Sequence, residues 1–365
     1  MPALNGAGVL VAAGGTGGHM APALAVAEEL SERGALVSFV TTPSQRSLVA
    51  DSYPTYELAM RGFDRRPLAR QNLTTVRQLL AAAPRAWRHI SAAGPSIVVG
   101  GGGYVSGPVV ALAAMRGIPA VAMEADSHLG ITNRLLKVWV QRLFLSFPIA
   151  GLAPPKYVVT GRPLARRQLQ ASAAAGREAF GLTTDLPVVL VFGGSQGAQT
   201  LNRACLDAFA RPDPALEVIH VCGPRNHDEV AADLARRAPR LERYHLVAYT
   251  DRLADAMAAA DVVVGRSGGS VAEIAALGRP AVLVPYPYAS ADHQRKNAEW
   301  MARAGAALII DDAELDGTRL GETIAELLAD DARRSAMAAA SRRLGRPDAM
   351  ATVVDGIAAL LEEQR

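Results

Sequence analysis

The apolar run Val188 to Phe192, the turn Gly193-Gly194-Ser195-Gln196-Gly197 and the helix-like stretch that opens near Ala198 constrain the chain more than any other feature. Glycines allow positive φ and close approach. The first amides of a helix lack internal partners, and the helix dipole adds partial positive charge, so a strand, a glycine turn and a helix start make an anion site. The arrangement recurs in the first half, where Val9 to Ala13 runs into Gly14-Gly15-Thr16-Gly17-Gly18-His19 and then Pro22 opens a helix. Two such turns, one per half, predict two phosphate-recognising domains.

The rest of the pattern agrees. Strands at Val9–Ala13 and Leu36–Thr42 flank a helix at Pro22–Arg33, a βαβ unit that implies a parallel sheet. A helix near Ser44 to Ala50 and an arginine-rich loop from Met60 to Arg70 follow, and then one or two helices over Asn72 to Ala93 with a break expected at Pro84. Ser96–Val99 leads into Gly100-Gly101-Gly102-Gly103-Tyr104 and a helix at Val105–Arg116; Pro119–Met123 ends in Glu124-Ala125-Asp126, before a helical Gly130–Val140. After Gly161-Arg162-Pro163 the alternation restarts at Leu186 and continues to about Ala304, with a helical tail from Asp312. Two doubly wound sheets account for this better than one, and the expected division is 1–163 and 164–365, with the last helix packing back on the first domain. At 365 residues and 50% hydrophobic, the chain has enough apolar material for two cores.

Composition narrows the chemistry. The 38 basic and 35 acidic residues are interspersed, which points away from nucleic acid. Cys205 and Cys222 are too few and too far apart for a disulfide framework or a thiolate zinc site and are read as core, while His220, His227 and His293 are too dispersed for a metal site. The N-terminus lacks a basic region before its apolar residues, so no signal peptide is expected and the cytosol is the expected compartment. The uncharged run Ile97–Met115 is interrupted by Gly100 to Gly103, Gly107 and Pro108 and reads as strand, turn and helix, not as a membrane span.

A dinucleotide fingerprint is not met: Gly15 and Gly17 fit, but Met20 holds the third glycine position, and Thr41-Thr42-Pro43 follows the second strand where an acidic residue is needed. No glycine precedes a lysine, so no triphosphatase loop exists. In the second half, Gly265-Arg266-Ser267-Gly268-Gly269-Ser270 leads into a helix holding Glu273, and Asp292-His293-Gln294 opens the helix after Pro285-Tyr286-Pro287. Helix amides for a pyrophosphate, Glu273 for ribose hydroxyls and Gln294 for sugar hydroxyls suit a nucleotide sugar.

With these motifs assembled, the chain resembles the MurG family of GT-B glycosyltransferases, UDP-N-acetylglucosamine transferases of peptidoglycan synthesis. GGTGGHMAPALAVAEEL, GGGGYVSGPVVA, ITNRLL, GGSQGAQTLN, RSGGSVAEIAALGRPAVLVPYP and DHQRKNA match the family pattern, in its order and over nearly the whole chain. The resemblance implies an α/β GT-B fold, two Rossmann-like doubly wound parallel-sheet domains facing a cleft. It implies UDP-N-acetylglucosamine bound in the C-terminal domain by Ser195, Gln196, Gly197, Thr250, Arg266, Ser267, Gly268, Glu273 and Gln294, with Arg162 also on the donor side. For the polyprenyl-diphosphate-linked muramyl peptide acceptor it implies Thr16, Gly17, Gly18, His19, Gly103, Tyr104, Asp126 and Asn133. The family usually reads His-Glu-Gln-Asn where this chain has Met123-Glu124-Ala125-Asp126, which leaves open another glycolipid or a natural product as acceptor; a separate alternative is a UDP-sugar epimerase on the same architecture.

Inverting transfer needs a base for the acceptor hydroxyl and an electrostatic clamp for the departing UDP. His19 is the first choice as base, Glu124 the second and Asp126 the third. Helix N-termini with Arg266 or Arg162 serve as the clamp; no cofactor is expected, and no divalent ion. A membrane-anchored acceptor requires work at the membrane surface, so the expected location is the cytoplasmic face of the cell membrane, held peripherally. Phe63 to Ile90, with Arg77, Arg85 and Arg88, is the candidate patch.

Overall fold

The computed structural model describes residues 4–15, 17–49, 51–60, 70–211, 215–237 and 241–364, by backbone alone at 17, 70–80 and 290. Two compact units divide it: Met1–Ala165 with Pro347–Arg365, and Arg166–Arg346.

The first unit holds strands β1 (Gly8–Ala13), β2 (Leu36–Thr41), β3 (Thr55–Glu57), β4 (Ile97–Gly102), β5 (Ala120–Glu124), β6 (Arg142–Leu145) and β7 (Tyr157–Val159). They form one parallel sheet in the order β3-β2-β1-β4-β5-β6-β7. Its helices are α1 (Gly17–Glu32), α2 (Arg70–Ala93), α3 (Ser106–Met115) and α4 (Ile131–Leu136). β1 and β4 are adjacent although α1, β2, β3 and α2 separate them in sequence, so the strand order reverses there, at the switch point where open α/β sheets bind ligands beyond the strand ends.

The second unit opens with α5 (Arg166–Leu169) and α6 (Ala173–Phe180) and continues β8 (Val188–Phe192), α7 (Gln199–Phe209), β9 (Glu217–Val221), α8 (His227–Arg237), β10 (Tyr244–Val247) and α9 (Leu253–Ala259). Then come β11 (Val262–Gly265), α10 (Ser270–Ala276), β12 (Ala281–Leu283), α11 (His293–Arg303), β13 (Ala307–Ile309), α12 (Gly317–Ala329) and α13 (Asp331–Leu344). The parallel order β10-β9-β8-β11-β12-β13 puts its switch point between β8 and β11. Strands buried on both faces explain the unbroken apolar runs, since every residue of β8 and β11 is buried. The last helix, α14 (Ala349–Glu362), belongs to the first unit, where Val353, Val354, Ile357 and Leu361 share a core with Val9, Val11, Ile97 and Phe144.

Local differences from the sequence reading have physical causes. α2 runs through Pro84 unbroken; the residue is exposed, so the lost backbone hydrogen bond faces water. The helix expected at Ser44–Ala50 is a 3-10 helix over Pro43–Leu48, and α4 stops at Leu136, short of Val140. β4 extends into the glycines because a Cβ at Gly101 would lie 2.8 Å from those of Ala13 and Ala23: only glycine lets β1 and α1 approach so closely. β3 and β13, three residues each, were too short to announce themselves by alternation. Most of the arginine-rich stretch from Met60 lies outside the described residues.

Candidate active site

In the first unit the turns after β1 and β4 meet backbone to backbone. Gly15, Gly102 and Gly103 have φ of 110°, 99° and 75°. A Cβ at Gly103 would fall 1.7 Å from the Gly14 carbonyl oxygen, and one at Gly102 would fall 2.6 Å from Cδ2 of His19. The imidazole, in the first turn of α1, is therefore seated on the Gly102-Gly103 backbone, with the Tyr104 ring against Gly15. Ser106 donates to the Gly103 carbonyl at 2.8 Å and fixes the turn to the start of α3. Gly103→Ala is expected to force this junction apart: left-handed backbone alone costs an L-residue about 1–2 kcal/mol, and the overlap adds to it. Thermal unfolding checks this, and an unchanged midpoint would contradict it.

Burial favours the neutral form of His19 and lowers its pKa from the usual value; Asp126 works in the opposite direction, and the Arg162 guanidinium partly offsets Asp126. Arg162 is buried and donates to the Gly18 carbonyl at 2.7 Å, so this residue, grouped by resemblance with the donor set, lies in the first unit beside the base candidate. The Gly15 amide, a candidate phosphate donor, is occupied: it donates to Gln45 Oε1 at 2.9 Å. Gln45 belongs to no motif and was missed by the sequence reading. Thr16 lies outside the described residues, Gly17 is described by its backbone and Gly18 is exposed.

Glu124, at the end of β5, is 3% exposed, and its carboxylate organises the loop that follows. Oε1 accepts from the Asp126 amide at 3.1 Å; Oε2 accepts from the Gly130 amide at 2.8 Å and from Asn133 Nδ2 at 2.9 Å. Asn133 Nδ2 also reaches the Met123 carbonyl at 2.9 Å. Burial pushes the Glu124 pKa up to about 7, against the lowering effect of these hydrogen bonds. Both oxygens thus accept hydrogen bonds from the loop that follows β5.

In the second unit the turn after β8 leaves Ser195 and Gln196 exposed at its apex, with Gly194 and Gly197 at φ of 82° and 74°. Next to it, Arg266 after β11 is 9% exposed and tied down. It donates to the carbonyls of Val284 and Pro285 at 3.2 and 3.4 Å and to Thr200 Oγ1 at 2.8 Å, and pairs with Asp312 at 2.5 Å. Thr200 itself donates to Asp312 at 2.7 Å. This guanidinium braces the turn against α7 and the end of β12, a role the motif alone did not reveal. Ser267, fully buried, donates to the Gln294 carbonyl at 2.7 Å. Gln294 Oε1 accepts from the Tyr286 amide at 3.0 Å, leaving Nε2 near Gly268. Glu273 is half-buried in the first turn of α10, and Thr250 accepts from the Arg252 amide at 3.0 Å ahead of α9. Ser195, Gln196, Gly197, Ser267, Gly268 and Glu273 thus gather at the C-terminal ends of β8 and β11 and the helices that follow, joined by Gln294 from α11 after β12.

Two parallel sheets of this order, each with glycine turns at its switch point, define the GT-B class of glycosyltransferase folds. Residues 9–145 match the glycosyltransferase family 28 N-terminal domain and residues 188–353 the glycosyltransferase family 28 C-terminal domain. The UDP-N-acetylglucosamine--N-acetylmuramyl-(pentapeptide) pyrophosphoryl-undecaprenol N-acetylglucosamine transferase of Moorella thermoacetica is 37% identical over 97% of this chain and 99% of its own. The crystal structure of Acinetobacter baumannii MurG superposes with a TM-score of 0.76 at 30% identity, covering 97% of this chain and 99% of that one. The chain belongs to the MurG family within glycosyltransferase family 28. A UDP-GlcNAc 2-epimerase from Neisseria meningitidis, with a TM-score of 0.66 and 15% identity over 96% of this chain and 99% of its own, shares the fold alone.

Proposed function

We propose that the chain transfers N-acetylglucosamine, with inversion, from UDP-N-acetylglucosamine to the muramyl sugar of an undecaprenyl-diphosphate-linked muramyl pentapeptide. The observation that carries the mechanism is His19, a half-buried imidazole on a glycine junction at the first unit's switch point, its pKa lowered by desolvation. His19 takes the proton of the acceptor hydroxyl as that oxygen attacks the anomeric carbon; the bond to UDP breaks on the opposite face and the pair of electrons leaves with the diphosphate. The glycine turns of the first unit receive the lipid diphosphate. Ser195, Gln196, Gly197, Thr250, Ser267, Gly268, Glu273 and Gln294 hold the donor, with the N-termini of α7 and α10, neither capped by a side chain, facing the leaving charge. Arg266 contributes by fixing that turn, and Arg162 by offsetting part of the pull of Asp126 on His19. Incubation with UDP-N-acetylglucosamine, with and without the muramyl-peptide lipid, tests the reading: UDP release should depend on the lipid. An epimerised sugar without lipid, or binding without turnover, would replace it.

The same reading places the protein peripherally at the cytoplasmic face of the membrane. Among the described residues no helix is long and apolar enough to cross one. Ile131, Leu135, Val138 and Trp139 are 56%, 66%, 73% and 44% exposed at helical spacing on and beyond α4, with Arg134 and Lys137 exposed among them. An apolar face fringed by cations fits an anionic lipid surface. Of the stretch first considered, residues 63–69 lie outside the described residues and the side chain of Arg77 is among those not described; Arg85, Trp87 and Arg88 are exposed, with the Arg116 guanidinium 4.6 Å above the Trp87 ring. Leu135→Glu with Val138→Glu is expected to abolish flotation with anionic liposomes while UDP affinity stays unchanged. Undiminished flotation would exclude this face, and charge reversal at Arg85 and Arg88 tests the other.

A further inference from the structure

Beneath the Ser195 turn lies a chain of buried polar groups that no step above uses. His220, on β9, is fully buried; its Nδ1 is 2.8 Å from the Tyr244 hydroxyl and its Nε2 is 3.0 Å from Asn202 Oδ1. Asn202 Nδ2 donates to the Cys222 carbonyl at 2.9 Å, which fixes which way the amide faces. Since Oδ1 then accepts, Nε2 of His220 carries the hydrogen and Nδ1 accepts from Tyr244. The hydroxyl oxygen of Tyr244 remains available to the Cys205 thiol, 3.3 Å away. Every member has a partner of the right polarity, and burial holds the imidazole uncharged, with a pKa near 3.

The relay ends under the donor turn. The Cys222 carbonyl also accepts from Asn226 Nδ2 at 3.1 Å, and the same amide reaches the Gln196 carbonyl at 3.3 Å. A Cβ on Gly197 would lie 2.2 Å from the Cys222 oxygen, and one on Gly223 would lie 2.6 Å from Gly197 Cα. Gln196 and Gly197 therefore rest directly on the Cys222-Gly223 peptide, and whatever orients that peptide sets the height of the turn. We propose that His220 is a positioning residue for the donor diphosphate: through Asn202 it fixes the Cys222-Gly223 peptide on which Gln196 and Gly197 are seated. This rests on the reading of Gly193 to Gly197 as the donor turn.

Two substitutions cut the relay on opposite sides. Glutamine places its amide nitrogen near the Nε2 position, so His220→Gln keeps the bond to Asn202; His220→Asn supplies a group near Nδ1 and keeps only Tyr244. Both remove one buried hydrogen bond and are expected to lower thermal stability similarly. His220→Asn is expected to raise the KM for UDP-N-acetylglucosamine, and the Kd for UDP, by about 5- to 10-fold, the loss of one such bond, with kcat within about twofold; His220→Gln is expected to stay near the parent value. Equal effects of the two variants on KM, or none, would overturn the proposal. Should either variant fail to fold, nitrogen-15 NMR of histidine in the unaltered protein decides: a neutral Nε2–H tautomer is required, and an Nδ1–H tautomer would overturn it. Gly194→Asp set against Gly194→Asn tests the donor-turn reading separately: both side chains meet open space and share the strain of a left-handed backbone at φ 82°, but only the carboxylate would repel a diphosphate. Equal UDP affinity in the two variants would reject the reading itself.

Discussion

Replacing His19 with alanine is expected to lower turnover by about 10²- to 10⁴-fold, the usual contribution of a positioned base, while the Kd for UDP stays within about twofold. The separation follows from where the residue sits: His19 belongs to the first sheet's switch point, and the donor residues belong to the second. The pH profile supplies a second signature. A base works in its neutral form, and burial and Arg162 lower the His19 pKa below 6.5, so kcat/KM should be flat near neutrality and fall only on the acid side of that value. Asp126 opposes the shift. Asp126→Asn, which restores the residue usual in the family at that place, should move the acid limb to still lower pH. A His19→Ala enzyme with near-normal turnover would remove the imidazole from the chemistry, and an acid limb indifferent to Asp126→Asn would remove the carboxylate's influence.

Glu124→Ala should be the most damaging single change for the first unit's stability. It strands the amides of Asp126 and Gly130, and takes one acceptor from Asn133, in a site 3% exposed. Burying unsatisfied donors costs about 1–3 kcal/mol, which calorimetry reads as a fall of several degrees. The pH dependence has a definite sign. The folded-state pKa is raised from 4.5 to about 7, so the folded chain holds this proton more tightly than the unfolded one. Its stabilising contribution is complete below about pH 4.5, declines as pH rises, and is gone above about 7. Glu124→Gln removes the titration, so the difference in unfolding midpoint between it and the parent should vary with pH only across that window. A difference constant from pH 4 to 8 would show that the carboxyl is not perturbed.

What was legible in the sequence was whatever repeats locally. Apolar runs ending in glycine turns located the switch-point strands β1, β4, β8 and β11, and the helix-opening motifs put His19, Ser195 and Glu273 near their places. Partnerships across long separations were not legible. Arg266 looked available as an anion clamp because nothing in RSGGS announces Thr200 or Asp312, 66 and 46 positions away in the chain. Gln45 reached the Gly15 amide from a 3-10 helix with no motif of its own. The amides of Asp126 and Gly130 that reach the two oxygens of Glu124, second choice as base, could not be read from a carboxylate at a strand end. Pro84 misled in a different way: a proline disfavours a helix interior, but on an exposed face the surrounding packing prevails.

The return of α14 to the first sheet has a consequence for how the protein is made. Synthesis runs from the N-terminus, so β1 to β7 leave the ribosome long before Val353, Val354, Ile357 and Leu361 exist to cover them. All of Arg166–Arg346 is translated in the interval. The second unit has every strand of its sheet and can fold first, while one apolar face of the first waits, open to chaperones or to misplaced partners, until the helix begun at Ala349 arrives. The unit that comes first in the sequence is the last to be finished.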